Sequence, residues 1–170
     1  MSYIDVVEKL DVPKPAKYYT PPAFEEVFGI PIAYRRQGKG ETVVLFHGAG
    51  FTRMWIPMYE MLAERVDFIA PESPGFGETP MPEWFRDFDD LTILYDQFFE
   101  QLGIDQLHLI GFSMGGWAAS EFASFFPRRL KSLSLITPVG LRVKDKPGID
   151  IFQLTPEQLM DRLFDDKEVM

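Results

Sequence analysis

Short apolar runs alternate with longer amphipathic segments through most of this chain. Runs of strand length occupy residues 43–46, 66–70, 107–112 and 130–136. The first of them is wholly apolar, which is typical of a strand covered on both faces of a parallel sheet. Ahead of it, β-type residues on either side of a Gly-Ile-Pro turn at 29–31 predict a hairpin.

Three helices are predicted between these strands. Over 87–102, apolar residues recur with helical spacing, acidic residues crowd the first turn, and Gly103 stands where a C-terminal cap belongs. A helix over 114–126 follows the third run. The helix that begins at Pro57 is expected to bury a stripe of Met58, Met61 and Leu62. Strands alternating with helices predict an α/β fold with a mostly parallel sheet and helices on both faces.

The character of the chain changes after residue 141. A charged linker there leads to a capping box at 155–158, which predicts the start of one more helix. We therefore divide the chain into an irregular N-terminal segment at 1–22, a core at 23–141 and a final segment at 142–170.

Composition and charge narrow the class of protein. The chain has 170 residues, enough for one domain, and its 46% hydrophobic and 25% charged residues are typical of a globular protein. A net charge of -9 repels phosphate backbones, so we expect no nucleic-acid partner. The chain contains no cysteine, which excludes a disulfide framework and a thiol nucleophile. Without a signal-like start or an apolar run of about 18 residues, we expect a cytoplasmic protein with no membrane partner.

The strongest chemical signal lies at residues 111–115, which read G-F-S-M-G. A G-x-S-x-G sequence between a strand and a helix is typical of a strained turn that lifts a serine hydroxyl above a sheet. Gly111 and Gly115 leave the room that such a backbone crossing needs. Ser113 is therefore the candidate nucleophile, and the alternative is that it is a plain N-cap of the following helix.

A second signal directly follows the first buried strand. His47, Gly48, Ala49 and Gly50 form an H-G-A-G loop in the position where such a fold places oxyanion donors. The backbone N–H of Ala49 or of Gly50, together with that of Met114, would form an oxyanion hole.

Three blocks of sequence together resemble the α/β-hydrolase-fold serine hydrolases. They are L-F-H-G-A-G at 45–50, S-P-G-F-G-E-T at 73–79 and G-F-S-M-G-G at 111–116. The resemblance extends over about 24–141 and implies strands 1 to 6 of that fold, with a lid opening after Leu141. It also implies a structural, loop-organising role for His47. Many relatives have Asp where this chain has Glu72, to which we assign no role.

The general base and the acid of a catalytic triad have no candidate in this chain. In the family they follow the nucleophile, acid first and His second, and no His follows Ser113. We interpret His108 as a half-buried strand residue, and Asp145 and Asp150 as solvated linker charges. The base and acid are therefore unknown, the chain is expected to be C-terminally incomplete, and alone it should be nearly inert.

The expected function is that of a serine hydrolase acting on a small, partly apolar, ester-like carbonyl substrate, with no metal and no organic cofactor. A non-catalytic binding or scaffold protein that uses the same cleft is the alternative. A nucleotide-binding domain is a remote one: Gly48 and Gly50, with Glu72 further on, imitate a dinucleotide fingerprint, but Arg53 replaces its third glycine. The oligomeric state is not predicted.

Two side-chain sets have less specific interpretations. Acidic residues near the start of the 87–102 helix are expected to be solvated rather than to bind a cation; they are Glu83, Asp87, Asp89 and Asp90. Four aromatic residues could line a substrate cleft, although core packing is the commoner role; they are Trp55, Trp84, Phe85 and Trp117.

Overall fold

The computed structural model describes residues 18–141, 144–145, 148–150 and 153–163. The chain divides into two compact units, Met1–Gly140 and Leu141–Met170. Most of the predicted irregular segment at 1–22 lies outside the described residues. None of the helices in the described ranges is long and apolar enough to cross a bilayer.

Six strands of the first unit form one mixed sheet. They are β1 (Ala23–Val27), β2 (Ile30–Gln37), β3 (Thr42–Phe46), β4 (Asp67–Pro71), β5 (Leu107–Phe112) and β6 (Leu130–Ile136). Their order across the sheet is β1-β2-β4-β3-β5-β6. The β1–β2 and β2–β4 pairs are antiparallel, and the other pairs are parallel. The predicted mostly parallel sheet is confirmed.

The β1–β2 hairpin is present, but its turn is not the one predicted. Val27 pairs with Ile30, so Ile30 and Pro31 belong to β2 and only Phe28 and Gly29 form the turn. Both turn residues have positive φ, 51° and 79°. A two-residue turn with positive φ at both positions matches the right-handed twist of the strands, which is why it replaces the longer Gly-Ile-Pro turn.

Helices cover both faces of this sheet, and one more helix lies in the second unit. They are α1 (Pro57–Ala63), α2 (Phe88–Gln101), α3 (Met114–Phe125) and α4 (Pro156–Leu163). The predicted capping box of α4 is confirmed, since Thr155 and Gln158 exchange side-chain to backbone hydrogen bonds.

Helix α2 has the predicted start, end and buried face. The Asp87 carboxylate accepts the backbone N–H groups of Asp89 and Asp90, and Gly103 follows the helix with φ of 69°. Arg86 pairs with Asp90, so the acidic residues of this turn serve the helix start. The buried face consists of Leu91, Thr92, Leu94, Tyr95, Phe98 and Phe99.

The buried face of α1 matches the predicted one only at Leu62, which packs against the core. Met58 and Met61 are 49% and 68% exposed, whereas Tyr59 and Ala63 are buried. The Tyr59 ring packs 5.1 Å from that of Phe68 on β4. A helix of seven residues contains too few turns to define its buried side by periodicity, and contact with β4 decides it.

The core has two parts, one on each face of the sheet. On the α2 and α3 side, Phe46 of β3 stacks on Tyr95 with ring centroids 4.1 Å apart and meets Phe122 of α3 edge-on. On the α1 side, the adjacent Leu45 packs with Tyr59. Because successive strand residues face opposite sides, β3 contributes to both parts and ends, at Phe46, between the two layers.

Within the described residues, β6 is the strand at one edge of the sheet. Its side chains from Lys131 to Ile136 are exposed, including Leu133 and Leu135. An exposed apolar edge of this kind favours association with another strand.

Candidate active site

Ser113 lies in a strained turn between β5 and α3. Its φ of 53° and ψ of -116° are rarely adopted by residues with a side chain, at a cost of about 1–3 kcal/mol. Its backbone N–H donates to the Ile136 carbonyl at 3.0 Å, and its carbonyl accepts from Gly116 and Val139 at 2.9 and 3.1 Å. These bonds tie the turn to the end of β6 and to the loop that follows it.

Two glycines allow the chain to bend this sharply. A Cβ on Gly111 would lie 2.6 Å from the Ala119 Cβ, and one on Gly115 would lie 2.6 Å from the His47 carbonyl oxygen. The ends of β3 and β5 and the first turn of α3 therefore approach one another too closely for any larger residue at these two positions.

The hydroxyl of Ser113 is not used as a helix cap. Ser113 occupies the N-cap position of α3 but makes no side-chain capping hydrogen bond. The residue is partly exposed, as is Met114. A plain capping role, the alternative interpretation of this serine, therefore has no hydrogen bond to support it.

The loop at residues 47–53, which we call the 47–53 loop, passes directly over this turn. A Cβ on Gly48 would stand 3.2 Å from the Cβ of Ser113 and 2.8 Å from the Phe112 ring. The rings of Phe51 and Phe112 meet edge-on at 5.4 Å. The structure thus brings together two of the predicted site residues, Gly48 and Ser113, while Ala49 and Gly50 lie exposed at the surface of the loop.

His47 is buried, and both of its ring nitrogens are engaged within the loop region. Nε2 accepts the backbone N–H of Ser73 at 2.9 Å, which leaves the proton on Nδ1 to be donated to the Gly48 carbonyl at 2.9 Å. Burial lowers the pKa of His47 to about 4, so the ring is neutral at pH 7. This geometry suits a residue that organises the loop.

Below the loop, a buried hydrogen bond connects this region to α2. The hydroxyls of Ser73 and Tyr95 are 2.8 Å apart. Tyr95 is fully buried, and burial raises the pKa of its phenol, so the group stays protonated. Ser73 therefore contacts both the core helix and His47.

The sequence analysis did not recognise a cluster of four charged residues at this loop, of which three are buried and Glu78 is partly buried. We call Arg35, Arg53, Glu72 and Glu78 the charge cluster. Arg35 Nη1 lies 2.6 Å from Glu72 Oε1, and burial raises the pKa of Glu72. These two residues are 37 positions apart, so their pairing cannot be recognised from a single sequence. Arg53, which stands in place of the third glycine of the imitated dinucleotide fingerprint, pairs with Glu78.

His108 lies at the start of β5, whereas Ser113 follows the other end of that strand. Its Nδ1 is 2.7 Å from the Ser132 hydroxyl, and its Nε2 is 2.7 Å from Glu41. Lys131, followed by His108, holds the pKa of Glu41 below its usual value. The half-buried, hydrogen-bonded ring agrees with the interpretation of His108 as a strand residue.

The aromatic candidates divide between core and surface. Trp55 packs edge-on against Tyr59 and Phe68 and belongs to the α1 side of the core. Trp117 stacks on Phe88 at 4.2 Å, and a Cβ on Gly140 would stand 2.9 Å from its ring. Trp84 and Phe85 pack against each other with ring centroids 6.4 Å apart. Of the four, Trp84 and Trp117 are exposed.

An apolar cavity of about 290 Å³ adjoins the Ser113 turn. Its lining includes Leu45, His47, Phe51, Ile56, Tyr59 and Phe112.

Across the ranges that the structure describes, no group of three or more His, Asp or Glu side chains could hold a metal ion. In the second unit, Asp145 and Asp150 are exposed.

Comparison with known proteins identifies the family. Residues 41–166 match the sequence model of a family described as alpha/beta hydrolase fold, and this match covers more than half of the chain. The chain belongs to the alpha/beta hydrolase fold family. The resemblance and the fold class inferred from the sequence are confirmed.

Several known proteins are similar to this chain. A pimeloyl-[acyl-carrier protein] methyl ester esterase from Legionella pneumophila is 37% identical over 67% of this chain and 46% of its own length. The dihydrolipoyllysine-residue acetyltransferase component of an acetoin cleaving system from Cupriavidus necator is 33% identical over 69% of this chain and 32% of its own length. Among solved structures, a meta-cleavage product hydrolase from Pseudomonas fluorescens is 25% identical, with a TM-score of 0.64 over 73% of this chain and 47% of that one. The chain thus spans less than half the length of these relatives.

Proposed function

We propose that this chain carries the nucleophile and the oxyanion hole of a serine hydrolase that acts on a small, partly apolar, ester-like carbonyl substrate. The observation that carries the proposal is the conformation of Ser113. This residue holds a strained backbone between β5 and α3, and its hydroxyl makes no capping bond. Backbone strain at a partly exposed polar residue whose side chain is not used for capping is typical of a functional site.

In the proposed reaction, Ser113 Oγ attacks the substrate carbonyl carbon, and the carbonyl oxygen becomes a tetrahedral oxyanion. The backbone N–H of Met114 and that of Ala49 or Gly50 stabilise this oxyanion. One such donor contributes about 3–4 kcal/mol to the transition state. Collapse of the intermediate expels the alcohol and leaves an acyl-serine, which water then hydrolyses.

The proton transfers are assigned to groups outside these 170 residues. A general base must remove the Ser113 proton and return it to the leaving alcohol. No His follows Ser113 in the sequence, and both nitrogens of His47 are engaged elsewhere. We therefore propose that a His and an acid from further chain complete the triad, and that residues 142–170 open a lid. The cytoplasmic location stays a prediction.

Two observations support an ester with an apolar part. The surface beside Ser113 is apolar, since Phe51, Phe112 and the adjoining cavity line it. One relative is named a methyl ester esterase. The apolar wall would take the acyl or alcohol part of the substrate, while the amides of the loop face its carbonyl.

The test is labelling of the chain with a fluorophosphonate probe, followed by mass spectrometry of its peptides. We expect a slow adduct on Ser113 that is absent from S113A and retained in S124A. Ser124 is the matched control because it is an exposed serine on α3, the helix that follows Ser113. If Ser113 reacts no faster than Ser124, the hydrolase proposal fails and the non-catalytic binding or scaffold role is favoured.

The position of the base is tested separately with p-nitrophenyl acetate. Without a base the serine hydroxyl stays protonated, and loss of the catalytic His in a serine hydrolase costs roughly 10⁶ in turnover. We expect no sustained hydrolysis by the 170-residue chain. Sustained hydrolysis that disappears in S113A would show that the base lies within it.

A further inference from the structure

The charge cluster is buried between β2, the end of β4 and the 47–53 loop. Its members balance, with two positive and two negative side chains. The side chains of Arg35 and Glu72 are each 3% exposed, that of Arg53 is 8% exposed and that of Glu78 is 15% exposed. Burying charges is costly unless each is paired and hydrogen-bonded, and every member of this cluster has such a partner. The bonds of the cluster indicate which part of the structure it holds in place.

Glu72 is the member that binds backbone as well as side chains. Its Oε1 accepts from Arg35 Nη1 at 2.6 Å and from the backbone N–H of Arg53 at 2.9 Å. Its Oε2 accepts the backbone N–H of Glu78. A Cβ on Gly77 would collide with this carboxylate, so the 72–78 turn closes tightly around it.

Glu78 differs from Glu72 in what it contacts within the cluster. Its carboxylate pairs with the side chains of Arg53 and Arg35, at 3.2 and 3.4 Å. Both bonds go to guanidinium groups, and neither reaches the loop backbone. The chain therefore contains two glutamates of the same charge in the same cluster, of which only Glu72 bonds the backbone of the 47–53 loop through its carboxylate.

The two ends of the 47–53 loop are held by two adjacent residues. At its start, His47 Nε2 accepts the backbone N–H of Ser73 at 2.9 Å. At its end, the backbone N–H of Arg53 donates to Glu72. Arg53 also has a positive φ of 66°, a conformation unfavourable for a side-chain-bearing residue that needs support from its surroundings.

We propose that Glu72 is a positioning residue that clamps the far end of the 47–53 loop and so fixes the direction of the Ala49 and Gly50 amides. The effect of Glu72 on catalysis rests on the proposed function above, whereas its effect on the position of the loop does not. Ser73 and Glu72 hold the loop at both ends, and the two amides lie between these anchors.

Replacement of Glu72 by Gln tests the clamp with almost no change in shape. The carboxylate faces donors on both oxygens: Arg35 and the Arg53 amide on one, and the Glu78 amide on the other. A Gln side chain has one acceptor oxygen and one donor NH₂ group, so in either orientation a donor meets a donor. E78Q is the matched control, because it makes the same charge change and leaves the Glu72 bond to the backbone intact.

The measurement is amide hydrogen exchange of the whole chain at neutral pH, resolved to the 47–53 loop and to α2. In E72Q we expect loop amides to exchange about 10- to 100-fold faster, as for loss of a hydrogen bond to a charged group, with α2 unchanged. In E78Q we expect exchange of the loop to stay within about threefold of wild type. Unchanged loop exchange in E72Q, or equal acceleration in both variants, would overturn the proposal.

Two further measurements keep the proposal testable if E72Q does not fold. E72D retains the charge but is one methylene shorter, so it should accelerate loop exchange too, and wild-type exchange in E72D would overturn the clamp. In the wild-type chain, the Arg53 amide must exchange more slowly than those of Ala49 and Gly50, and equal rates would also overturn it.

The catalytic consequence is read from the fluorophosphonate reaction. We expect Ser113 labelling in E72Q to slow by about tenfold or more, because misplaced amides stabilise the transition state less, with E78Q close to wild type. Labelling unchanged despite faster loop exchange would overturn the positioning role. If wild-type Ser113 does not react at all, the proposed function fails while the exchange result still decides the clamp.

Discussion

Gly48 lies directly against Ser113, so that a Cβ on Gly48 would stand 3.2 Å from the Cβ of the serine. The same Cβ would be 2.8 Å from the Phe112 ring, which is closer than side chains tolerate. The spacing between the 47–53 loop and the Ser113 turn therefore depends on the absence of a side chain at this one position.

Replacement of Gly48 by Ala should push the loop away from the Ser113 turn. Overpacking of this kind costs about 1–3 kcal/mol in the free energy of unfolding. We expect the loss to appear in urea denaturation, together with slower fluorophosphonate labelling of Ser113. G50A is the stability control, because nothing lies within 4 Å of a Cβ at Gly50. Equal stability of G48A and wild type would contradict the close approach.

Replacement of Gly115 by Ala should destabilise the fold although alanine favours helices. The added Cβ would meet the His47 carbonyl oxygen at 2.6 Å, and backbone atoms cannot move aside as a flexible side chain can. The gain in helix propensity is about 1 kcal/mol, and the clash should exceed it, for a net loss of about 1–3 kcal/mol. Thermal and urea unfolding of G115A would measure the change, and a more stable variant would show that the ends of β3 and α3 are further apart.

Stability should fall as the pH decreases from about 6.5 to about 4. The pKa of His47 is lowered by burial from 6.5 to about 4 in the folded chain. Between these values the unfolded chain takes up a proton that the folded chain does not, so the free energy of unfolding rises with pH there and is level above it. The whole effect is roughly 3 kcal/mol.

The comparison that isolates this effect is wild type against H47Q. Both chains are unfolded in urea at several pH values between 4 and 7.5, and the slopes of stability against pH are compared. H47Q removes the His47 titration and leaves every other titrating group, so its slope between pH 4 and 6.5 should be smaller. Identical slopes would show that His47 is not responsible.

Replacement of Tyr95 by Phe should cost about 1–2 kcal/mol. The Tyr95 and Ser73 hydroxyls are 2.8 Å apart and buried, so removal of one leaves the other without its partner. Adding S73A to Y95F should cost less than the sum of the two single changes, because both polar groups are then removed. Additive losses in this double-mutant cycle, measured by urea unfolding, would contradict a direct bond.

The strands and the long helix α2 were predicted well, whereas the buried face of α1 and the hairpin turn were not. For β5 and β6 the predicted limits match the observed ones, and α2 begins at the acidic turn that the sequence indicated. The predicted buried face of α1 was wrong at Met58 and Met61 and right at Leu62, since seven residues do not define one side of a helix without its neighbours. The hairpin turn was also wrong, because its two positive φ angles fall on Phe28 as well as on glycine.

The sequence by itself determined the α/β fold, the family and the position of the candidate nucleophile, because hydrophobic period, turn glycines and the G-x-S-x-G sequence are all local properties. The resemblance to the family also implied that the loop with His47 and Gly48 lies near that serine. Only the tertiary structure decided the contacts of Glu72, whose partners Arg35 and Arg53 come from β2 and from the 47–53 loop. Ion pairs between distant segments leave no pattern in a single sequence, since any charged residue could pair with many others until folding brings two of them together.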